Sequence, residues 1–442
     1  DLRSAIREIP IIIQPRAFNA DGSLFYPADR AFFEGISDGQ TFAENPDLNI
    51  PFLPQSTSDI APVWNPEAFF NTMVVNGNTW PMLEVAPERY RFRILNAADS
   101  RFLNMALRVV GADSSSLGQE LPFYQIGSDQ GLLPSVVRIE TGYATTLPGD
   151  GSDVGSGVTP APGISPEQAL LVGPGERADV IVDFASLPDG TVVRMINTAP
   201  DAPFGGFPDV PADPATTGQV MQFVVNSVLA NPDGDSSTPA PSLVLDTNPG
   251  GAPKLGPSDF IQDLALLEEE SALLCVTIDA VTGVIDWVPG DPVGTNLPPN
   301  CLQGGVPFAP QTAVLGVNGS GGGTVQLWDD PVAQNPQLND TETWELWNLS
   351  ADAHAIHLDL VKFEVVNREI LRYGAIRPAE PWEAGWKDTV IAYPGEVTRI
   401  KARFDIEGLY TWGDNILSGA DNEMQVPYCV GTPGVDCPME LF

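Results

Sequence analysis

The sequence predicts an all-β protein built from β-sandwich or β-barrel domains with long loops. Short apolar runs recur along the chain, and several of them alternate apolar with polar residues, as in residues 89–94. Such alternation produces a strand with one buried face and one solvated face. Glycine and proline contribute 42 and 43 of the 442 residues. This share favours the many turns that connect short strands in all-β folds.

A strand is predicted for each short apolar run of the first half of the chain. These runs are residues 9–13, 72–75, 90–95, 103–110, 169–172, 179–184, 192–196 and 220–225. Residues 226–256 follow, with many Pro, Gly, Asn and Asp residues and little to bury, which is typical of a linker. We therefore predict one domain over residues 1–228, a linker over 229–256 and a second domain over 257–442. At the start of the second domain, residues 258–270 are the best candidate for a short helix.

The two predicted domains resemble each other weakly. Asn76-Gly77 follows an apolar run in the first domain, and Asn318-Gly319 follows one in the second. An Asn-Gly pair readily adopts the positive φ angles of a tight hairpin turn, so a turn is predicted at each pair. An internal duplication would explain this similarity.

The charge of the chain excludes several kinds of partner. With 58 acidic and 21 basic residues, the formal net charge is −37. Such a surface repels nucleic acid and anionic membranes, and no apolar run approaches the length of a membrane span. The chain begins at Asp1 without Met, so we expect a mature or trimmed form.

Four cysteines indicate the cellular compartment. Their spacing favours the pairs Cys275–Cys301 and Cys429–Cys437, although a zinc site is the alternative. The chain has no CxxC motif, so disulfides are the better interpretation. Disulfides persist outside the cytoplasm, and we therefore expect an extracellular, periplasmic or cell-surface protein.

Several segments, in order along the chain, resemble the multicopper oxidase family. Residues 21–27 (DGSLFYP), 75–77 (VNG), 90–96 (YRFRILN), 125–133 (QIGSDQGLL) and 175–179 (GERAD) resemble the middle domain of spore-coat laccases and bilirubin oxidases. Residues 354–359 (HAIHLD) resemble the family's HPxHLH motif, and residues 385–389 (GWKDT) and 394–397 (PGEV) match the segment that follows it. Residues 410–417 (YTWGDNIL) resemble the stretch that normally carries HCHxxxH. The resemblance implies two cupredoxin-like Greek-key β-sandwich domains, the second and third of the family.

The same resemblance assigns each copper-ligand position, and most of the ligands are replaced. The family holds a type 1 copper through His, Cys and His with a weak axial ligand, and a trinuclear copper cluster through further histidines. His354 stands at a type 1 His position, Met424 at the axial position and His357 at a type 2 His position. The replaced positions are Asp359 (a type 3 His), Gly413, Asp414 and Asn415 (the His-Cys-His triplet), and Gly419 (the second type 1 His).

These replacements predict a protein without catalytic residues and without a copper cofactor. The chain contains two His in total, and the N-terminal domain that supplies further ligands in the family is expected to be missing. We expect a structural or assembly role, with self-association or a protein partner and with residues 1–9 reaching a neighbouring chain. One alternative is a subunit of a copper-dependent oxidoreductase that another chain completes. Another is a metal-binding module in which His354, His357 and the nearby Asp352, Asp359 and Asp414 hold a divalent cation.

Overall fold

The computed structural model describes most of the chain. The described residues are 6–27, 30, 59–61, 63–111, 117–140, 146–147, 163–164, 169–207, 209–245, 255–272, 275–278, 285–287, 306–319 and 322–437. They are almost entirely strands and loops, so the predicted all-β class is confirmed. None of the helices in these ranges is long and apolar enough to cross a membrane.

Strands before residue 226 form two large sheets and one small one. The strands are β1 Glu8–Phe18, β2 Leu24–Phe25, β3 Thr72–Val75, β4 Asn78–Thr79, β5 Met82–Val85, β6 Arg89–Asn96, β7 Leu103–Val110, β8 Leu117–Leu121, β9 Phe123–Ser128, β10 Gly131–Ile139, β11 Thr146–Leu147, β12 Gly163–Ile164, β13 Leu170–Val172, β14 Arg177–Asp183, β15 Val192–Asn197 and β16 Gln219–Val225. One sheet has the order β10-β9-β14-β6-β1-β3-β4, with β2 beside β1. The other has the order β13-β7-β15-β16-β5, with β8 beside β7, and β11 pairs with β12.

Strands after residue 259 form separate sheets. They are β17 Phe260–Glu269, β18 Cys275–Ile278, β19 Ile285–Trp287, β20 Val306–Pro307, β21 Thr312–Gly319, β22 Gly322–Gln326, β23 Thr341–Asn348, β24 His354–Leu358, β25 Phe363–Ile370, β26 Ala375–Pro378, β27 Thr389–Ala392, β28 Glu396–Arg403, β29 Gly408–Asp414 and β30 Gln425–Val430. The orders are β22-β21-β17-β23-β28-β25-β26, β19-β18-β20 and β27-β24-β29-β30. Short helices are α1, Leu417–Ala420, and the 3-10 turns Ser227–Leu229, Ala240–Ser242 and Pro381–Glu383.

The largest sheet of each half has the same topology. When β1, β3, β4, β6, β14, β9 and β10 are matched with β17, β21, β22, β23, β28, β25 and β26, the strand orders coincide. Both first strands run parallel to their neighbour, β6 or β23, and antiparallel to β3 or β21. Asn96 and Asn348 end the matched strands β6 and β23, and each donates its side-chain amide to two backbone carbonyls. These shared features support the internal duplication.

One of the two predicted hairpin turns is confirmed, and the other is wrong. Asn76 and Gly77 have φ angles of 49° and 81° and join β3 to β4. Asn318 and Gly319 instead lie inside β21, where they pair with residues 323 and 322 of β22.

The predicted helix at residues 258–270 is also wrong, because this segment forms strand β17. β17 lies between β21 and β23 at the centre of its sheet. Leu264, Ala265 and Leu266 are all fully buried, so side chains on both faces of the strand are covered. A strand that is buried on both faces loses the alternation that distinguishes it from a helix in the sequence.

The first described part of the predicted linker, residues 229–245, contacts the first half. Leu229 and Ala240 are buried. The Arg89 guanidinium lies 3.1 Å from the Asp235 carboxylate and donates to the Ser237 carbonyl at 2.6 Å. Residues 255 and 256 instead hydrogen-bond to Glu364 and Lys401 of the second half, and residues 246–254 lie outside the described ranges. Among the described strands, no sheet combines strands from both sides of residues 229–256, and the domain division stays a prediction.

Residues 7–9 of the segment expected to reach a neighbouring chain make contacts within this chain, and the expectation itself stays a prediction. Glu8 and Ile9 belong to β1 and pair with β6 of the same sheet. Arg7 donates to the Glu88 carboxylate at 2.8 Å and to the Leu229 carbonyl at 3.0 Å. Residues 1–5 lie outside the described ranges.

Each half has its own apolar core, and a third cluster joins the halves. Phe92 and Phe223 pack in the first core, and Trp344 and Trp412 pack in the second. The third cluster combines side chains from both halves: Phe102, Leu171, Ala199, Phe204, Phe207, Ala353, Ile391, Tyr393 and Ile416. The halves are therefore packed together beside β24, β27 and the end of β29.

The disulfide between Cys429 and Cys437 is present, as predicted. It joins the end of β30 to the loop that follows, and both cysteines are buried. The other predicted pair cannot be compared, because Cys301 and the side chain of Cys275 lie outside the described residues.

Candidate functional site

The predicted copper-ligand positions lie on β24 or directly after it, on β29, and in the loop between β29 and β30. β24 pairs with β27 on one side and with β29 on the other. Ile356 pairs with Asp414 and His357 with Gly413. His354 begins β24 and Asp414 ends β29, so this register places their side chains at the same end of the sheet β27-β24-β29-β30.

His354 and Asp414 form a buried ion pair. The His354 Nδ1 atom lies 2.7 Å from Asp414 Oδ2, and the two side chains are 4% and 0% exposed. The second ring nitrogen, Nε2, lies 2.8 Å from the Ser350 Oγ atom. Asp414 Oδ1 accepts the backbone N–H groups of Ala355 and Ile416, each at 3.0 Å. All the strong hydrogen-bonding groups of the pair are thereby used within the protein.

The pair also favours the charged form of the imidazole. Burial alone would lower the pKa of His354, but the adjacent Asp414 carboxylate outweighs burial and raises this pKa above its ordinary value. An imidazolium donates two hydrogen bonds and has no lone pair for a metal ion.

Gly419 and Met424 complete this buried cluster. A Cβ atom placed on Gly419 would lie 3.4 Å from Asp414 Oδ2 and 3.6 Å from the Met424 sulfur. Met424 is fully buried in the second core. The structure therefore brings together His354, Asp414, Gly419 and Met424, the four positions that the resemblance assigns to type 1 copper.

Gly413 cannot carry a ligand on this backbone. A Cβ atom placed there would lie 2.3 Å from the Met424 carbonyl oxygen and 2.8 Å from the Gln425 Cα atom. These are backbone atoms of the first residue of β30 and of the residue before it, so any side chain at this position would force β29 and β30 apart.

His357 lies at a second, more exposed cluster. Its Nε2 atom is 3.3 Å from Asp359 Oδ1, and its Nδ1 atom is 3.1 Å from Thr389 Oγ1 and 3.6 Å from Asp388 Oδ1. Burial alone would lower the pKa of His357, but the hydrogen bonds to Asp359 and Asp388 raise it to about 9. Asn415, the last replaced position, donates to Thr389 Oγ1 at 3.3 Å.

Asp388 connects this cluster to the first half of the chain. Its carboxylate accepts hydrogen bonds from the Arg177 guanidinium and from the Gln130 amide. Although burial alone would raise the pKa of Asp388, these bonds and the one from His357 lower it well below its ordinary value. The site on β24 is therefore held by an ion network that spans both halves.

A buried lysine extends the network, and sequence reasoning did not single it out as functional. The Lys387 Nζ atom lies 2.9 Å from Asp129 Oδ2 and 3.1 Å from Glu176 Oε1, and the lysine side chain is 4% exposed. Burial alone would lower the pKa of Lys387, but Asp129 and Glu176 raise it above its ordinary value. Since the chain has four Lys residues in all, a buried one within a family-like GWKDT segment is a signal that could have been used.

The residues present do not fit the copper centre that the resemblance suggests. The type 1 cluster has a carboxylate in place of a thiolate, and that carboxylate already accepts three hydrogen bonds. A blue-copper site requires a Cys thiolate together with two His. Within the described ranges, no three His, Cys, Asp or Glu side chains are grouped so that they could hold a metal ion.

The multicopper oxidase family model matches residues 308–433, which include both clusters. A laccase of Bacillus subtilis (strain 168) is 30% identical over 439 residues, covering 96% of this chain and 63% of the laccase. The chain is similar to multicopper oxidases over nearly its whole length. A laccase of Haloferax volcanii is 29% identical over 437 residues, and the match covers 98% of this chain and 54% of that laccase. The chain thus spans less than two thirds of the length of these relatives.

The fold of this multicopper oxidase relative is shared with solved structures. The McoA multicopper oxidase of the hyperthermophile Aquifex aeolicus superposes with a TM-score of 0.57 at 20% identity. The match covers 97% of this chain and 66% of McoA. The predicted cupredoxin-like β-sandwich fold is therefore confirmed.

Proposed function

We propose that this chain is a non-catalytic member of the multicopper oxidase family with a structural or interaction role. One observation carries the proposal: both ring nitrogens of His354 contact protein oxygens, those of Asp414 and Ser350, within hydrogen-bond distance. A protein ion pair occupies the position where a type 1 centre would bind copper. Without that centre, no copper would accept electrons from a substrate.

The second cluster supports the same proposal. His357 is the sole histidine there, and its two ring nitrogens contact Asp359 and Thr389. A carboxylate and an imidazole could hold a divalent ion weakly, but oxygen reduction in the family requires several coppers and many His ligands. We therefore expect no copper cofactor in this chain unless another chain supplies ligands.

The proposed location is outside the cytoplasm, on the cell surface, in the periplasm or secreted. The buried Cys429–Cys437 disulfide supports an oxidising compartment. A net charge of −37 favours solubility and opposes nucleic acid and anionic membranes as partners. The proposed partners are other proteins, including further copies of the chain.

Copper loading and oxidase activity test the proposal. The purified chain is incubated with Cu²⁺, dialysed against a weak chelator, and analysed for metal content, for blue absorption and for oxidation of a phenolic substrate. The Bacillus subtilis laccase is the positive control. We expect no stoichiometric copper, no blue band and no oxidation.

Other results would overturn the proposal in distinguishable ways. A blue band or substrate oxidation would show a working centre despite Asp414. Stoichiometric metal that is lost in the His357→Gln variant would instead support the metal-binding module. Copper retained only after a second protein is added would support the subunit alternative.

A further inference from the structure

The outer face of the first large sheet carries an ordered pattern of opposite charges. Tyr90, Phe92 and Ile94 of β6 point into the core, so the intervening arginines point outward. The register aligns the outward residues of β1, β6 and β14 in rows. One row is Glu8–Arg91–Ile181, the next is Pro10–Arg93–Asp179, and the third is Ile12–Leu95–Arg177.

The charges on this face cancel. Arg91 lies 3.3 Å from Glu8 and also pairs with Asp179, and Arg93 lies 2.6 Å from Glu8. With the pair of Arg89 and Asp183 at 3.4 Å and the pair of Arg177 and Asp388, four arginines face four carboxylates. The chain as a whole carries −37. This sheet face is therefore a neutral area on a strongly negative molecule.

Apolar side chains are exposed within the same face. Ile12 is 38% exposed, Pro10 beside it is exposed, and Leu132 is 36% exposed. Leu132 borders a depression of about 310 Å³ that is also lined by Arg91, Arg93 and Asp179. The "β6 face" is defined by Glu8, Pro10, Ile12, Arg91, Arg93, Asp179 and Leu132.

We infer that the β6 face is the docking surface for a second copy of this chain. The inference rests on the proposed assembly role and names the surface that carries it. Two chains of charge −37 repel each other, and the repulsion is weakest where the local charge cancels and salt screens more distant charges. Rows that mix Arg with Glu and Asp are self-complementary, because a two-fold axis can place Arg93 of one chain opposite Glu8 of its copy.

The energetic balance of such a contact is favourable on this face. Arg93 and Glu8 are 57% and 49% exposed, and exposed ion pairs contribute little to stability, so exchanging partners across an interface costs little. Covering Ile12, Pro10 and Leu132 supplies the apolar burial that drives association. A two-fold contact of this kind closes after two chains, which predicts a dimer.

The matched face of the second large sheet lacks this combination. Glu345 and Arg399 stand where Arg93 and Asp179 stand, and Arg399 pairs with both Glu345 and Glu369. Ala265 takes the place of Ile12 and is fully buried. Ile261 takes the place of Glu8 and is 54% exposed, which makes it a matched control position outside the β6 face.

Sedimentation equilibrium of the full chain, across about 1–200 µM, tests the inference. We expect a dimer for the wild type and a dissociation constant at least about tenfold higher for Ile12→Glu and for Arg93→Glu. Ile261→Glu should dimerise like the wild type. Circular dichroism and thermal unfolding of each variant verify that the fold is retained, and Arg93→Glu keeps the test informative if Ile12→Glu is destabilised.

Two results would overturn the inference. A wild type that stays monomeric at the highest concentration shows that a second copy does not cover the β6 face. Dimers that persist in Ile12→Glu and Arg93→Glu but dissociate in Ile261→Glu place the contact on the second half. Because the copper measurement does not depend on association, a monomer without copper removes this docking surface and leaves the non-catalytic proposal standing.

Discussion

Replacing Asp414 by Ala should destabilise the second half of the chain strongly. The carboxylate is fully buried, accepts from the His354 ring at 2.7 Å and accepts two backbone N–H groups at 3.0 Å. Its removal leaves the Nδ1 atom of a buried imidazole and two buried N–H groups without a partner at the junction of β24, β29 and α1.

The magnitude follows from these lost contacts. Breaking a buried ion pair by removing one partner costs about 3–5 kcal/mol. Each orphaned buried N–H group costs about 1–3 kcal/mol, although these costs overlap and part of the site can relax. We expect the free energy of unfolding to fall by about 4–6 kcal/mol, a large fraction of the roughly 5–15 kcal/mol typical of a domain.

Urea denaturation followed by tryptophan fluorescence measures this loss, since Trp344 and Trp412 lie in the second core. Asp421→Ala, at an exposed position after α1, is the matched control and should change stability by less than about 0.5 kcal/mol. Replacing both His354 and Asp414 by Leu should recover part of the loss, because no unpaired charge remains. A loss below about 1 kcal/mol for Asp414→Ala would refute the buried ion pair.

Three further outcomes are expected. The pKa of His357 is raised to about 9 from an unfolded value of about 6.5, so its stabilising contribution is complete below pH 6.5 and is lost as pH rises through 9. Because the chain has two His, NMR titration of the wild type and of His357→Gln measures this pKa directly, and a value near 6.5 would contradict the cluster. Lys387→Met leaves two buried carboxylates without their lysine and should lower the free energy of unfolding by about 3–5 kcal/mol. The control Lys362→Met, at an exposed position, should lower it by about 0.5 kcal/mol, and equal losses in the two variants would contradict the buried network. Replacing Cys429 and Cys437 by Ser opens a loop with a separation of 8 residues, which should cost about 2–3 kcal/mol in thermal or urea unfolding, and an unchanged stability would show that this loop is not a constraint.

Most of the fold was predictable because the relevant signals are local. Residues 89–96 alternate strictly, and the register confirms Tyr90, Phe92 and Ile94 as core residues of a half-buried strand. The Asn76-Gly77 turn depends on the backbone preferences of two adjacent residues. The segments that failed, β17 and the Asn318-Gly319 pair, depend on neighbours that are distant in sequence.

The sequence by itself determined the family resemblance and the identity of each residue at the copper-ligand positions. Asp414 in place of a thiolate, and two His in the whole chain, can be counted without a structure. Only the tertiary structure decided what these residues do instead, because hydrogen bonds between β24 and β29 depend on strand register and on burial. The same holds for Lys387 and for the β6 face, whose charge pattern arises when three strands align and place residues 8, 93 and 179 side by side.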